Sequence, residues 1–412
     1  MSIGSANEFN RNQGDRWRSA RHTVFLLALL IPGFAMAATS EPDDGPPVPA
    51  GASAERISFD ELPGFAGDDH AAALQTLLVS CRARQDKAPA LREGLAAQPG
   101  LEAACKAALQ LGEGDAPTAR AFFEKHFVPW RVAGESGRAF FTGYYEPEVE
   151  GSLTRDSRYA TPVYARPDDL VTFAQGETPD GFEGFAAARR RADGSLERYA
   201  DRAAIEQGAL AGQGLERAWL ADPVDLFFVQ VQGSGRIRLP DGGVVRLAYA
   251  GRNGHPYTPI GRVVADRFGI PRAEMTMDRL RAFLAEDAER ARAIMRENRS
   301  YVFFRLATEL DPALGPIGGE GVPLTPGRSL AIDRTLWPYG LPVYVDADLP
   351  SAAGSGLEPF RRLMIAQDTG SAIVGAARAD IFFGPGPAAG AIAGRVRHSG
   401  TFTVLWPKAP AR

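Results

Sequence analysis

The C-terminal third of the sequence carries Leu330-Ala-Ile-Asp333, Ile365-Ala-Gln-Asp368-Thr-Gly370 and Arg378-Ala-Asp380-Ile-Phe-Phe-Gly384. In each run, an aspartate ends or interrupts a short apolar segment that is typical of a strand. Desolvating a carboxylate at such a position costs free energy unless another group satisfies it or uses it. Each aspartate taken alone is also explained as a turn cap, because Asp readily hydrogen-bonds to its own backbone in turns.

Strand-like segments extend outward from these aspartates in both directions. The earlier segments are short, aromatic or β-branched and bounded by turn residues, and those from Tyr301 onward each carry four to six strand-forming residues between Gly, Pro and Asp. Pro240-Asp241-Gly242-Gly243 has the composition of a hairpin turn. Strands at this spacing, without intervening helices, favour a closed barrel over a parallel βαβ sheet. The predicted strands are Arg138–Tyr145, Pro223–Gln232, Arg236–Leu239, Val244–Tyr249, Tyr301–Leu306, Ser329–Ile332, Pro342–Val345, Arg362–Gln367 and Thr401–Leu405.

Helical periodicity is confined to two regions. Apolar residues recur at helical spacing in segments 66–83, 88–111 and 116–126, which predicts a helical N-terminal part, and again in Arg272–Asn298. Cys81 and Cys105 are the two cysteines of the chain. An oxidising destination favours a disulfide between them, and two buried thiols are the alternative.

The N terminus has the pattern of a targeting segment. Arg16, Arg18 and Arg21 precede the apolar run Thr23–Ile31 and an Ala-Met-Ala end, which predicts a secretory signal peptide over residues 1–38, with an uncleaved anchor as the alternative. Residues 39–55 are rich in Pro and Asp and are interpreted as a flexible linker. No cysteine follows the predicted cleavage point to carry a lipid, so a membrane tether is left open.

Composition limits the possible functions. The 412 residues, 45% of them apolar and 23% charged, suffice for two domains with cores of their own. A formal net charge of −4 provides no overall basic field, which makes nucleic acid a poor partner. The sequence has no phosphate-binding loop, H-E-x-x-H or G-x-S-x-G motif, and few histidines. We therefore expect neither metal nor cofactor, and carboxylates remain as the acid and base groups.

Five motifs, one of which contains Asp368 and Asp380, carry a family resemblance over some two thirds of the chain. The five motifs, in the order in which they occur, resemble those of the membrane-bound lytic murein transglycosylase A family. The pattern of three aspartates, Asp333, Asp368 and Asp380, resembles the 3D domain of that family. The matching stretches are Phe141–Pro147, Asp225–Gly235, Tyr249–Tyr257, Asn298–Phe304 and Asp368–Gly384.

The resemblance implies a mainly β fold with helices. It implies a discontinuous double-psi β-barrel built from residues 56–147, with the N-terminal helices, and 268–412. A second β-rich domain, residues 148–267, would be inserted between them, with a saccharide groove at the junction. The barrel inferred from the strand spacing agrees with this expectation.

The resemblance also implies an activity. The enzyme would cleave the β-1,4 bond between N-acetylmuramic acid and N-acetylglucosamine in peptidoglycan and leave 1,6-anhydromuramic ends. Asp380 would be the acid and base, with Asp368 and Asp333 as supporting carboxylates. The implied location is the periplasm, with outer-membrane association open; the implied partners are glycan strands and, as an open possibility, complexes of cell-wall synthesis.

Substrate-binding residues follow from the same motifs. If Pro223–Gln232 is a strand, the side chains of Gln230 and Gln232 point to one face, and this pair is otherwise explained as solvent-facing polar residues. The remaining candidates are otherwise explained by an aromatic strand end, a bulge or a connecting turn. The full set of candidates is Thr142, Gly143, Tyr144, Gln230, Gln232, Gly233, Ser234, Arg252, Asn253 and Tyr257.

Two other functions compete with this interpretation. A glycan hydrolase on the same barrel would use a second carboxylate to activate water. A non-catalytic, expansin-like wall-binding protein would keep the groove and its aromatic residues yet release no fragments. Substitution of Asp380 by Asn separates an enzyme from a binder, because a binder would lose nothing measurable.

Overall fold

A computed structural model describes residues 45–174, 176–307, 314–351, 354 and 356–410. The predicted signal peptide, residues 1–38, lies outside these ranges, as do residues 39–44 of the predicted linker. The described end of that linker differs from the prediction, because Ser53–Arg56 forms a strand that pairs antiparallel with Phe127–Ala133. Across the described ranges, no helix is long and apolar enough to cross a membrane.

Strands account for most of the regular structure. They are β1 Ser53–Arg56, β2 Phe127–Ala133, β3 Ala139–Glu146, β4 Glu148–Ser152, β5 Thr161–Tyr164, β6 Leu170–Thr172, β7 Ala187–Arg190, β8 Leu196–Glu197, β9 Glu216–Leu220, β10 Gly235–Arg238, β11 Val244–Arg252, β12 Val302–Ala307, β13 Ser329–Ile332, β14 Pro342–Pro350, β15 Leu357–Asp368, β16 Arg378–Pro385 and β17 Arg397–Pro407. The fold is therefore sheet-rich.

Helices cover one side of the N-terminal part and separate several strands. They are α1 His70–Gln85, α2 Pro99–Leu111, α3 Ala116–His126, α4 Arg202–Ala204, α5 Pro223–Gln232, α6 Ile260–Phe268, α7 Met277–Ala285, α8 Ala288–Glu297 and α9 Gly386–Ala393.

Six strands close into a ring. β17 pairs with β14, and the pairing continues through β15, β13, β16 and β3 back to β17, while β2 and β1 extend the sheet from β17. The ring encloses fully buried apolar side chains, among them Phe141, Ile332, Trp337 and Val343. The barrel predicted from strand spacing is present as a closed ring, which leaves no free edge among its six strands.

Along the chain, a second sheet falls between β3 and β13, two strands of the ring. Its strand order is β12-β11-β10-β4-β9-β5, with a small sheet of β6, β7 and β8 nearby in sequence. Because β12 pairs with β11, the chain leaves this sheet only after Ala307, forty residues beyond the boundary predicted at 267. The hairpin predicted at Pro240–Gly243 joins β10 to β11 in antiparallel register.

The strand predicted for Pro223–Gln232 is wrong, because these residues form helix α5. Asp222 caps the helix by accepting the Val224 N–H, Pro223 occupies its first turn, and Gly233 ends it in the left-handed conformation at φ 84°. The apolar run resembled a buried strand because the helix is buried on several sides, where periodicity gives no signal. Residues two apart on a helix point to different sides, so the expectation of a shared face for Gln230 and Gln232 is also wrong.

The other helix predictions are right in position and differ in extent. α2 begins at Pro99 instead of residue 88, because the preceding segment extends along the barrel, where Arg92 N–H donates to Gly319 O at 3.0 Å. Arg272–Asn298 divides into α7 and α8, since Asp287 caps a new helix through the Glu289 and Arg290 amides. Helix α9 was not predicted; its Gly- and Ala-rich sequence has little apolar periodicity.

Cys81 of α1 and Cys105 of α2 form a disulfide. Both side chains are buried in a cluster with Leu77, Leu101 and Phe123. The disulfide favoured by the sequence is therefore present, and it joins two helices across a loop that contributes no regular structure of its own.

Candidate functional site

A cavity of about 320 Å³ lies where the ring meets the second sheet. Its walls come from β3 and β16 of the ring, the end of α5, the end of β11 and the glycine-rich segment around Gly318. Eleven of the thirteen predicted site residues line it: Thr142, Gly143, Tyr144, Gln230, Gln232, Gly233, Ser234, Arg252, Tyr257, Asp368 and Asp380.

Asp380 lies within β16 and is half-buried. The strand register places it beside Thr142 of β3 and Ala331 of β13, and its Oδ1 accepts a hydrogen bond from Thr142 Oγ1 at 2.6 Å. Burial raises the pKa of Asp380, and the charge of Asp368 acts in the same direction, while Arg378 and the Thr142 hydroxyl oppose it. This carboxyl group is disposed to hold a proton.

Asp368 ends β15 and is held by three donors. Its Oδ1 accepts the backbone N–H groups of Gly319 at 2.7 Å and Thr369 at 2.8 Å, and its Oδ2 accepts the Tyr144 hydroxyl at 2.8 Å. Burial raises the pKa of Asp368, and these hydrogen bonds oppose that rise by stabilising the ionised form.

The two carboxyl groups therefore differ in their surroundings. Asp368 accepts three hydrogen bonds from the protein, whereas Asp380 accepts one from Thr142. Groups of one type whose environments separate their pKa values are suited to different roles, and the less solvated one is the better proton donor. In this pair, the ionised form of Asp368 is stabilised by more hydrogen-bond donors of the described residues than that of Asp380.

Arg378 and Thr142 complete the surroundings of Asp380. Arg378 Nη2 donates to Thr142 Oγ1 at 2.7 Å, and the same hydroxyl donates to Asp380. The hydroxyl donates to the ionised carboxylate, which can only accept, while one of its own lone pairs accepts from the guanidinium.

The end of α5 contributes two amides in different ways. Gln232 Oε1 accepts the Tyr145 N–H at 3.1 Å and ties the helix to β3. Gln230 Nε2 donates to Val302 O at 3.0 Å, while its buried Oε1 has no hydrogen-bond partner in the described part of the chain. An N–H group on a ligand would satisfy that oxygen.

Two predicted residues do not line the cavity. Asp333 is buried and caps a turn: its Oδ1 accepts the Thr335 N–H and hydroxyl at 3.0 and 2.6 Å, and its Oδ2 accepts the Gly375 N–H at 2.8 Å. Asn253 is fully buried, and its side chain joins the backbones of Ala200, Arg299 and Tyr301. Both residues hold segments that lie next to the cavity.

Sequence reasoning missed several lining residues. Asn298 and Arg378 fall inside motifs that were recognised for other residues, so the signal was present. Arg92 lies in the N-terminal region, where no motif was recognised, and Arg202 lies outside all of the motifs. The missed lining residues include Leu91, Arg92, Arg202, Tyr249, Asn298, Ser300, Gly318, Gly319, Thr369, Ser371, Ile373 and Arg378.

Metal-binding geometry is not seen in the described ranges, where no three His, Cys, Asp or Glu side chains are grouped so as to hold an ion. The side chains that line the cavity carry carboxyl, guanidinium, amide, hydroxyl and phenol groups.

Comparisons with known proteins found two matching family models and several similar proteins. The family model described as "MltA specific insert domain" matches residues 140–305, and the one described as "3D domain" matches residues 328–406. A membrane-bound lytic murein transglycosylase A from Vibrio cholerae serotype O1 is 34% identical over 271 residues. That alignment covers 65% of this chain and 65% of the relative, just under two thirds of each.

Solved structures are also similar. The crystal structure of a membrane-bound lytic murein transglycosylase from Agrobacterium tumefaciens is 38% identical, with a TM-score of 0.78, over 86% of this chain and 98% of that one. The structure of E. coli MltA with bound chitohexaose is 27% identical, with a TM-score of 0.62, over 90% of this chain and 100% of that one.

Proposed function

The chain belongs to the membrane-bound lytic murein transglycosylase A family, and on that premise we propose that it is a peptidoglycan lytic transglycosylase. It cleaves the β-1,4 bond between N-acetylmuramic acid and N-acetylglucosamine and forms 1,6-anhydromuramic ends. The observation that carries this proposal is the pair of unequal carboxyl groups, Asp380 and Asp368, in one cavity at the junction of two sheets. The chitohexaose bound to the E. coli relative supports a saccharide ligand for this cavity.

The reaction needs one acid that later acts as a base. Protonated Asp380 gives its proton to the glycosidic oxygen, and an oxocarbenium-like centre develops on the muramic acid. The C6 hydroxyl of the same sugar attacks this centre, and the ionised Asp380 takes the hydroxyl proton. Because the nucleophile is already attached to the sugar, proximity replaces the second carboxylate of a hydrolase.

The supporting residues keep the proton on Asp380 and bind the sugar. Ionised Asp368, held by Tyr144 and two backbone amides, raises the pKa of Asp380. Asp333 is proposed as a positioning residue, because its bond to Gly375 fixes the segment that leads into β16. Gln230 offers the N-acetyl group an unsatisfied acceptor, and the other cavity-lining candidates supply hydrogen bonds and ring faces.

The proposed architecture assigns the closed six-stranded ring to the double-psi β-barrel and the sheet from β4 to β12 to the inserted domain. The mixture of parallel pairs, β13 with β15 and β3 with β16, and antiparallel pairs elsewhere in the ring supports this assignment. We place the protein in the periplasm, where its substrate lies; the predicted signal segment and the family name support this location.

Mass spectrometry of fragments released from purified peptidoglycan tests the proposal. The wild type should release fragments with anhydromuramic ends, and Asp380→Asn should lower the rate at least about 100-fold, the usual contribution of general acid catalysis. Asp348→Asn, an exposed position on β14, is the matched control and should keep full activity. Reducing ends that borohydride labels would indicate a hydrolase, and binding without any fragments would indicate a wall-binding protein; either result contradicts the proposal.

A further inference from the structure

The cavity contains more positive charge than its carboxylates balance. Four arginines line it, Arg92, Arg202, Arg252 and Arg378, against Asp368 and Asp380. Arg202 lies 3.6 Å from Glu206, and Arg378 is bonded beside Asp380. If Asp380 is protonated, as the proposed mechanism requires, the excess of positive charge grows by one.

Arg252 is the least compensated of these cations. It ends β11 and is half-buried, and in the described part of the chain its guanidinium forms neither a hydrogen bond nor an ion pair. Burial lowers the pKa of Arg252, and the positive charges of Arg92 and Arg334 act in the same direction, while the Tyr249 phenol acts against it. Holding a guanidinium beside two others costs free energy that a bound anion would recover.

Arg92 reaches the same region from a distant part of the sequence. It belongs to the segment between α1 and α2, and its backbone N–H donates to Gly319 O at 3.0 Å. Its Nη1 donates to Thr369 O at 3.2 Å, next to Asp368, and its Cζ lies 4.5 Å from the centre of the Tyr249 ring. Tyr249 therefore lies among the arginines, and its ring holds one of them in place.

The chemistry of the substrate supplies one class of anion. The sugar rings and N-acetyl groups of a peptidoglycan strand are uncharged, so its negative charges are carboxylates. When the stem peptide is absent, the lactyl group of muramic acid has a free carboxylate attached directly to the ring. When the peptide is present, that carboxyl is an amide, and the nearest carboxylates lie further out along the peptide.

We propose that Arg92 and Arg252 bind a substrate carboxylate, and that this is the free lactyl carboxylate of muramic acid from which the peptide has been removed. The inference rests on the proposed function. Arg92 lies beside Thr369 and Asp368, within the same cavity as the acid, which favours a carboxylate attached to the reacting sugar over one on a flexible peptide. Guanidinium groups suit this role because they bind carboxylates through paired N–H donors.

Steady-state kinetics on three soluble substrates test the inference. These are peptide-free glycan strands, the same strands with their lactyl carboxylates converted to methylamides, and peptide-bearing strands. The wild type should show the lowest KM on peptide-free strands. Arg252→Gln and Arg92→Gln should raise that KM about tenfold, the usual size of a charge-assisted hydrogen bond, and should raise it much less on the methylamides. Arg217→Gln is the control, because Arg217 is exposed and donates to the backbone carbonyls of Gly214 and Glu216.

Each outcome has a defined meaning. If the Arg92 and Arg252 variants raise KM only on peptide-bearing strands, the two arginines recognise a carboxylate of the stem peptide. That result overturns the lactyl carboxylate as the bound group. An equal loss on charged and methylamidated strands would overturn carboxylate recognition altogether. Absence of anhydromuramic products from the wild type on every substrate would instead reject the proposed function, so the two failures are distinguishable.

Discussion

At the scale of single residues, hydrogen bonding distinguishes two aspartates that share one cavity. Asp368 lies at the end of its strand, where the amides of Gly319 and Thr369 are free to donate to it. Asp380 lies inside its strand, where the sheet uses its neighbours' amides; among the described residues, the Thr142 side chain donates to it. Position on the strand thus decides which carboxylate is solvated by the protein.

Removing the negative charge of Asp368 and removing the positive charge of Arg378 should shift the pH profile of kcat/KM in opposite directions. The alkaline limb of kcat/KM reports loss of the proton from Asp380. Asp368→Asn removes a negative charge that raises the pKa of Asp380, so the limb should move to lower pH. Arg378→Gln removes a positive charge that lowers this pKa, so the limb should move to higher pH. Shifts of the same sign in both variants would contradict the assignment, and kcat/KM measured from pH 4 to 9 decides.

At the scale of elements, local helix signals and glycines fix how the cavity walls approach each other. α5 forms a helix because Asp222, Pro223 and Gly233 are placed at its ends. Gly143 lets β3 lie against α9: a Cβ there would fall 2.7 Å from Phe383 Cε2 and 2.9 Å from Ala393 Cα. Gly143 therefore has a packing role in addition to its place in the cavity wall.

Gly143→Ala should lower the free energy of unfolding by about 1–3 kcal/mol, the usual cost of overpacking. The cost arises because the contacted atom, Ala393 Cα, belongs to the backbone and cannot move away by side-chain rotation. Gly67→Ala, where a Cβ would meet no atom within 4 Å, is the control and should change stability by less than about 0.5 kcal/mol. Urea denaturation of both variants measures the difference. Equal effects would show that α9 can shift away from β3 to accommodate the added methyl group.

The segment that carries Gly319 also contains a buried acid, Glu320. Ser80 Oγ donates to its Oε2 at 2.6 Å, and its backbone N–H donates to Gln367 O at 3.0 Å, beside Asp368. Burial raises the pKa of Glu320 from 4.5 to about 7. The protonated form is thus favoured by folding, which ties the packing of this segment to pH.

Glu320 should make stability fall as pH rises. Between about pH 4.5 and 7 the folded protein holds a proton on Glu320 that the unfolded chain has lost, so this stabilisation is complete below that window and is lost above it. Relative to Glu320→Gln, the wild type should lose about 3 kcal/mol of unfolding free energy across the window. Glu113→Gln, an exposed position, should follow the wild type. Parallel curves for the wild type and Glu320→Gln would rule out this role.

At the scale of the whole molecule, a buried ion cluster joins the ring to the second sheet. Glu146, at the end of β3, is fully buried and lies 2.7 Å from Arg236 Nε and 2.8 Å from Arg246 Nε. These arginines belong to β10 and β11 of the second sheet. The cluster is close in sequence to Thr142 and Tyr144, so it fixes the junction at which the cavity forms.

Glu146→Gln should cost about 3 kcal/mol or more of unfolding free energy, because it removes a fully buried carboxylate charge that pairs with two guanidinium groups. Glu148→Gln is a matched control two residues away: Glu148 pairs with Arg238 at 3.0 Å on the surface, where loss of a pair costs less than about 1 kcal/mol. Thermal unfolding measures both, and similar small effects would indicate that the two sheets are joined mainly by other contacts.

The sequence by itself determined the features that depend on local order along the chain. Alternating runs between turn residues predicted the strands of the ring, the hairpin at Pro240–Gly243 and the helices α1 and α3, because these patterns depend on near neighbours. The recognised motifs identified eleven residues of the cavity wall through family resemblance. The identity of α5 was missed because a short apolar run buried on several sides has no period to detect.

Only the tertiary structure decided which groups meet. Arg92 and Arg252 are far apart in sequence and line one cavity, and Asp333 is directed into a turn instead of the cavity. The unequal environments of Asp368 and Asp380 also arise from packing, since donors on β3 and on the glycine-rich segment create the difference. The physical reason is that burial and charge act through space, and distance along the chain does not encode them.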